Sequence, residues 1–233
     1  MRTVRALCLT LLLLLTPLSL LATPATATDT SVSADTTWSG AVVLTGNVTV
    51  MNGSTLTLSP GTTVDGGDGY WIRVDGTLLA SQTDFFSSQV PLTGGSHGAG
   101  LWTGIYIAAK GHAVLDEVTI QNAKTALKVE GQLSAYKITI EDAYIGVNVF
   151  GSANIESLTA QHIDYEVLRN SGNLNLSTGT FTDIAGGLWS TGMSTVDTVT
   201  ISQAGTGLRS TSGTLSATGI GFIDTTVAIA SQQ

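Results

Sequence analysis

Residues 140–151 read IEDAYIGVNVFG. Glu141 and Asp142 put two adjacent carboxylates beside Tyr144. Paired carboxylates carry out acid–base work on glycosidic bonds, and they also make ordinary polar turns. The surrounding chain decides between these readings. The stretch closes on Gly151, and glycines fall at 111, 131, 151, 172, 192 and 213, at intervals of 20, 20, 21, 20 and 21. Inside each interval an apolar column returns as Val118, Ile138, Leu158, Gly179, Val199 and Ile220, broken only at Gly179. Two places on come Ile120, Ile140, Ala160, Phe181, Ile201 and Phe222. A third column reads Leu127, Val147, Val167, Leu188, Leu208 and Ile229. Alternation inside each unit has the strand period of two, with Gly, Asn, Asp or Ser at the breaks.

A repeat of this kind is one coil of a solenoid, in which strands of successive coils pair in parallel about 4.8 Å apart around an aliphatic column. Leucine-rich repeats share the period but need a leucine spacing that is missing. Propeller blades are about twice as long. Hexapeptide coils repeat in multiples of six, which these intervals do not obey. The reading is all-β: a parallel β-helix solenoid with coils of 20–21 residues.

The first 27 residues place Arg2 and Arg5 before an apolar run that ends in Ala25-Thr26-Ala27. This is the pattern of a secretory signal peptide cut near Ala27. Pro17 and Pro24 interrupt the tract, and it is short for a membrane span. Residues 28–233 then form a single domain, with irregular coils over 36–110 and regular ones over 111–233. Cys8 is the only cysteine, so the exported chain has no disulfide framework. Losing Arg2 and Arg5 takes the formal charge from −8 to −10, which argues against nucleic acid as a partner. After signal removal no membrane span is expected.

The irregular part alternates Val and Leu with Thr over 38–64 and turns at Gly46, Asn52-Gly53 and Pro60-Gly61. Trp38, Gly40, Thr55-Leu56-Thr57-Leu58, Pro60-Gly61-Thr62, Val64, Val74-Asp75-Gly76-Thr77-Leu78 and Trp102-Thr103-Gly104-Ile105 resemble the opening coils of secreted β-helix proteins. The family they resemble is the pectin-lyase-like superfamily, and the likeness covers nearly the whole exported chain. The resemblance implies a right-handed coil. It implies no single activity, because the superfamily contains polysaccharide lyases and hydrolases, adhesins and surface-layer proteins. Its lyases use basic residues, for which Arg169 and Lys137 are the candidates, together with acid-bound calcium. The Asp-Asp, Asn-Thr-Asp and Arg-Ile-Lys signatures of polygalacturonase-like members are absent from this sequence.

Asp142 falls in a column with Asn122, His162, Asp183, Gln203 and Asp224. The next position is Ala123, Ala143, Ile163, Ile184, Ala204 and Thr225, mostly small or aliphatic. Such a column is a bend entered from a strand, and Asn and Asp suit it by bonding to nearby backbone. The catalytic alternative takes Asp142, His162 and Asp183 on three consecutive coils, with the two acids about 9–10 Å apart and His162 as proton carrier. Turn chemistry is the preferred reading. Glu141, aligned with Gln121, Gln161, Thr182, Ser202 and Ile223, reads as a solvated position. Asp116, Glu156 and Asp197 form a second acidic column on alternate coils, outward and too widely spaced to share calcium.

Residues 87–100, SSQVPLTGGSHGAG, are the one long break, and His97 within it is a lone ligand candidate. Trp189, Tyr144, Tyr165 and Tyr136 sit in different columns and read as scattered surface aromatics. The expected protein is an exported, non-catalytic β-helix scaffold for surface display, adhesion or glycan contact. Its open C-terminal coil is expected either to continue in a longer chain, of which this is a fragment, or to associate end to end. Polysaccharide or other surface components are its expected partners, with no cofactor. The alternative is a polysaccharide lyase or glycoside hydrolase of the same fold, which alone would call for calcium.

Overall fold

The structure is a computed structural model that describes residues 25–89 and 100–231. Residues 1–24, which hold most of the expected signal peptide, and His97 therefore lie outside the described residues. The described chain is all-β, a parallel β-solenoid of about nine turns. Its 20 strands join one hydrogen-bonded sheet. Among the described residues no helix is long and apolar enough to cross a membrane.

Each coil contributes three strands, so the solenoid has three faces. The first face stacks Ala25–Ala27, Ala41–Leu44, Thr63–Asp65 and Asp84–Phe86, then continues through residues 118–121 and their counterparts in later coils. The second face stacks Thr30–Val32, Val48–Val50, Trp71–Val74, Gly104–Ile107 and Thr125–Val129. It continues through 145–149, 166–170, 186–190, 206–210 and 227–231. The third face begins with Thr36–Trp38, Thr55–Leu58 and Thr77–Ser81 and ends at Thr214–Thr218. In the regular coils the ladder runs on around the bends, so that Ser152–Asn170 pairs almost without interruption over 19 residues.

Two of the three apolar columns fall where the repeat predicts. Val118, Ile138, Leu158 and Val199 are at most 1% exposed, as are Ile120, Ile140, Ala160, Phe181 and Ile201. Gly179, the break in the first column, is filled from within its own coil. A Cβ there would lie 3.1 Å from the Phe181 ring and 3.1 Å from Val199. The third column needs a correction. Val147 pairs with Leu168, not Val167, because the register slips by one residue between Ile163 and Glu166. This β-bulge gives one coil an extra residue, and Val167 is buried beside the column.

The glycine spacing has a steric cause. A Cβ on Gly151 would sit 2.3 Å from the Glu130 and Gly131 carbonyl oxygens, and one on Gly172 would sit 2.2 Å from the Gly151 oxygen. Gly131, Gly192 and Gly213 meet the preceding coil just as closely. Each glycine is stacked on the backbone of the coil before it, and no side chain fits. In the irregular part the fully buried Trp102 stacks on Phe85 at 6.3 Å, and its indole N–H donates to the Gln121 carbonyl. In the last described coil Ile223, Val227 and Ile229 are exposed.

Candidate functional site

The bend column is real, and its backbone explains its composition. Asn122, Asp142, His162, Asp183, Gln203 and Asp224 have φ of 59°, 52°, 54°, 53°, 52° and 50°. This left-handed conformation turns the chain from the first face to the second in every regular coil. Non-glycine residues adopt it at a cost, which Asn and Asp bear best because their short side chains bond locally. Behind the bend Ala123, Ala143, Ile163, Ile184 and Ala204 are buried, as their size suggests.

Asp142, His162 and Asp183 are brought together. Nδ1 of His162 lies 3.2 Å from Asp142 Oδ1, and Nε2 lies 3.6 Å from Asp183 Oδ2. Gln161 adds a contact at 3.2 Å to the same Nε2. The three side chains are 31%, 32% and 53% exposed, so the stack faces water at its edge. None of the three lines the clefts described below. Glu141 accepts a 2.7 Å hydrogen bond from Gln121 and is half-buried rather than fully solvated. Glu156 and Asp197 are exposed and Asp116 half-exposed. Hydroxyls of Thr218 and Thr198 hold the Asp197 carboxyl below its usual range. Among the described residues no group of three or more His, Cys, Asp and Glu side chains is placed to hold a metal ion.

The second face carries an arrangement that the sequence reading did not assemble. One outward column pairs Arg73 with Tyr106, Tyr106 with Lys128, Lys128 with Asn148, Asn148 with Arg169, Arg169 with Trp189, and Trp189 with Arg209. Its order is cation, aromatic, cation, amide, cation, aromatic, cation. Six coil steps of about 4.8 Å make it about 29 Å long, parallel to the solenoid axis. Four of the chain's nine Lys and Arg residues stand in it, on a protein with a net charge of −8. Arg73 and Lys128 lie 5.0 and 4.3 Å from the centre of the Tyr106 ring. Arg169 and Arg209 lie 4.5 and 5.0 Å from the Trp189 ring. Each aromatic is thus held between two cations.

The two ends of the column differ in charge. Arg73 donates to both Asp75 oxygens, from Nη2 to Oδ1 at 2.8 Å and from Nε to Oδ2 at 2.9 Å and Oδ1 at 3.1 Å, and this hydrogen bonding pulls the Asp75 carboxyl down. Lys128 pairs with Glu130 at 2.8 Å, and Tyr106 donates to Glu130 at 2.5 Å. These bonds lower Glu130, while the one from Tyr106 to the carboxylate raises the phenol. At the other end the nearby carboxyl is Glu166, which is 8% exposed. Burial pushes it above the usual glutamate range, opposed by the charges of Arg169 and Arg209. Its Oε2 has no hydrogen-bond partner among the described residues, and neither has Asn148 Oδ1 in the column itself.

Clefts flank the column. One of about 320 Å³ lies between Trp71, Tyr106, Lys124 and Lys128, and one of about 360 Å³ lies between Arg73, Tyr106, Lys110 and Glu130. A third, about 200 Å³, is lined by Tyr165, Glu166, Gly186, Gly187, Trp189 and Arg209. Tyr144 and Tyr165 stack at 5.4 Å with rings 4° apart. The expectation of scattered aromatics is therefore corrected: Tyr144, Tyr165 and Trp189 gather around one end of the column. Tyr136 stays apart on the third face beneath Lys137. Lys137 itself pairs with Glu117 at 2.9 Å, away from Arg169. The bulge is what hid the ladder. Counted from Val167, Arg169 misses the Trp189 column, whereas the one-residue slip places them side by side.

The fold defined by these coils is a parallel β-solenoid with a cation–aromatic ladder along one face. No protein-family model, curated protein or solved structure matches this chain.

Proposed function

We propose that the chain is an exported, non-catalytic β-helix scaffold that contacts glycans through its second face. The observation that carries this reading is the ladder from Arg73 to Arg209, an outward strip of alternating cations and aromatics about 29 Å long. Guanidinium and ammonium groups donate to sugar hydroxyls, and Tyr106 and Trp189, each held between two cations, space those donors along the strip and add apolar ring edges. A linear polymer laid along the axis meets such groups at each coil. The likeness of the opening coils to the pectin-lyase-like superfamily supports export and polysaccharide contact. Polysaccharide or other surface components are the partners on this reading. Association through the C-terminal coil is part of the proposal, and sedimentation across a concentration series tests it. A monomer throughout removes that element.

The testing experiment is binding to a panel of immobilised polysaccharides by wild type and by a Tyr106→Ala, Trp189→Ala double variant. The expected result is retention of wild type on at least one polymer and loss of about tenfold or more in affinity in the variant. Equal retention of both proteins, or of neither, defeats the proposal.

A second reading rests on the contacts of His162 with Asp142 and Asp183, which would support lyase or hydrolase chemistry. An activity screen on acidic polysaccharides with added calcium tests it. Product from wild type, absent from an Asp142→Ala, Asp183→Ala double variant, would establish it. Two equally inactive proteins end it.

A further inference from the structure

The geometry points to the cleft between Tyr165, Glu166, Trp189 and Arg209 as a subsite for one uncharged sugar ring, whose hydroxyl donates to the Glu166 carboxyl. This inference rests on the glycan-contact reading and names which part of the face binds and what chemistry it selects. The starting observation is the carboxyl of Glu166, 8% exposed, with one oxygen buried and unpartnered among the described residues. The carboxyl borders the cleft, so a ligand hydroxyl there donates to it and offsets part of the cost of its burial. The β-bulge between Ile163 and Glu166 creates this position. In the neighbouring coils the same site on the second face holds Ile145 and Gly186, and Glu166 pairs with both. Bulges recur where a side chain is re-aimed towards a site.

The rest of the cleft fixes the size and charge of its occupant. Its volume of about 200 Å³ falls below the range of pockets for drug-sized ligands and suits one ring. Gly186 and Gly187 line it without side chains, Tyr165 supplies an aromatic wall, and Trp189, with a guanidinium on each face, supplies its edge. Beyond Tyr165 its stacked neighbour Tyr144, 44% exposed, extends the surface for the next ring of a polymer. A cationic ligand meets Arg209, which lines the cleft. An anionic ring meets the Glu166 carboxyl and approaches a protein of net charge −8. The two guanidinium groups nearest to offset this already lie on the faces of Trp189. An uncharged ring avoids both conflicts. Its hydroxyls donate to Glu166 and accept from Arg209.

The test is a titration of the ¹⁵N-labelled protein with neutral hexasaccharides of glucose, mannose, galactose and xylose, and with hexagalacturonate as the acidic comparison. The inference expects at least one neutral hexamer to shift the Trp189 indole N–H resonance saturably. It expects Glu166→Ala to weaken that binding about tenfold or more. Glu166→Gln, which keeps the shape and an acceptor oxygen, should lose less. Thermal melts confirm that both variants are folded. A neutral hexamer that binds wild type but leaves Trp189 unmoved, with Glu166→Ala unaffected, overturns the subsite and leaves the glycan-contact reading standing. So does preferential binding of hexagalacturonate at Trp189, which overturns the selection of an uncharged ring. Failure of every hexamer and every polymer to bind overturns both.

Discussion

Asp142 drew attention as half of a carboxylate pair, and the backbone beneath it gives the more economical account. Its φ of 52° is matched within a few degrees by five residues in its column, two of them His and Gln, which are not the usual occupants. A conformation repeated through chemically different side chains is set by the coil, not by catalysis. Asp142→Ala should therefore lower unfolding free energy by about 1 kcal/mol, since alanine has no local bond to offset a left-handed backbone. Asp142→Gly should recover most of that loss. Urea denaturation of the pair decides; equal destabilisation by both variants would remove the backbone explanation. Glu166 makes the opposite prediction. Burial raises its folded pKa above the unfolded value, so the folded chain binds the extra proton. Its contribution to stability is fully present below the ordinary glutamate range and is lost as pH rises through the raised folded value. Glu166→Gln should thus be more stable than wild type at neutral pH, with the gap closing on acidification. A gap that is constant from pH 7 to pH 4 would contradict the burial argument. The bend residues were legible in the sequence because their chemistry repeats. Glu166 was not, because its place among Ile145 and Gly186 appears only after the register slip.

At the scale of the coil, two features govern how one turn sits on the next. The glycine ladder brings backbone onto backbone: a Cβ added to Gly131, Gly151, Gly172, Gly192 or Gly213 would lie only 2.2–2.3 Å from the nearest carbonyl oxygen. Gly151→Ala must push two coils apart and should cost about 2 kcal/mol or more, read by chemical denaturation. Gly179→Ala meets side chains at 3.1 Å, which can yield, so it should cost clearly less. The reverse ranking would mean that the ladder does not set coil spacing. Gly151 was visible from spacing alone, since a glycine at a fixed period declares a steric requirement, and Gly179 stood out as the break in an apolar column. A buried polar corner was not visible. Asn170, 1% exposed, donates to the Met193 carbonyl and to Ser194 Oγ at 2.8 Å each, and Ser190 bonds Ser194 at 2.8 Å. Asn170→Leu strands these partners and should cost about 1–3 kcal/mol. Side-chain polarity alone does not tell an inward amide from an outward one, and the bulge had moved this stretch out of its counted register.

Across the whole molecule, the repeat read from IEDAYIGVNVFG settled the class of fold because every coil must bury the same columns. The functional face was harder to read for the same reason. A repeat exposes what recurs, whereas the ladder is built from unlike residues, Arg73, Tyr106, Lys128, Asn148, Arg169, Trp189 and Arg209, that share only their position. The long step from Ile72 to Ile105 on the same face further obscured the join between irregular and regular coils. Once the coils are stacked, two cation–aromatic–cation sandwiches fall on one side of the molecule with the buried oxygens of Asn148 and Glu166, which have no hydrogen-bond partner among the described residues. The acid–His–acid stack instead occupies the bend between the first and second faces. On the proposed reading the second face, not this bend, is where the protein meets its partner. The most direct measurement compares the polysaccharide affinity of the Tyr106→Ala, Trp189→Ala variant with that of the Asp142→Ala, Asp183→Ala variant. Loss of binding of about tenfold or more in the first, with wild-type affinity in the second, is the predicted result. Loss confined to the bend variant, with both proteins shown to be folded, would contradict it.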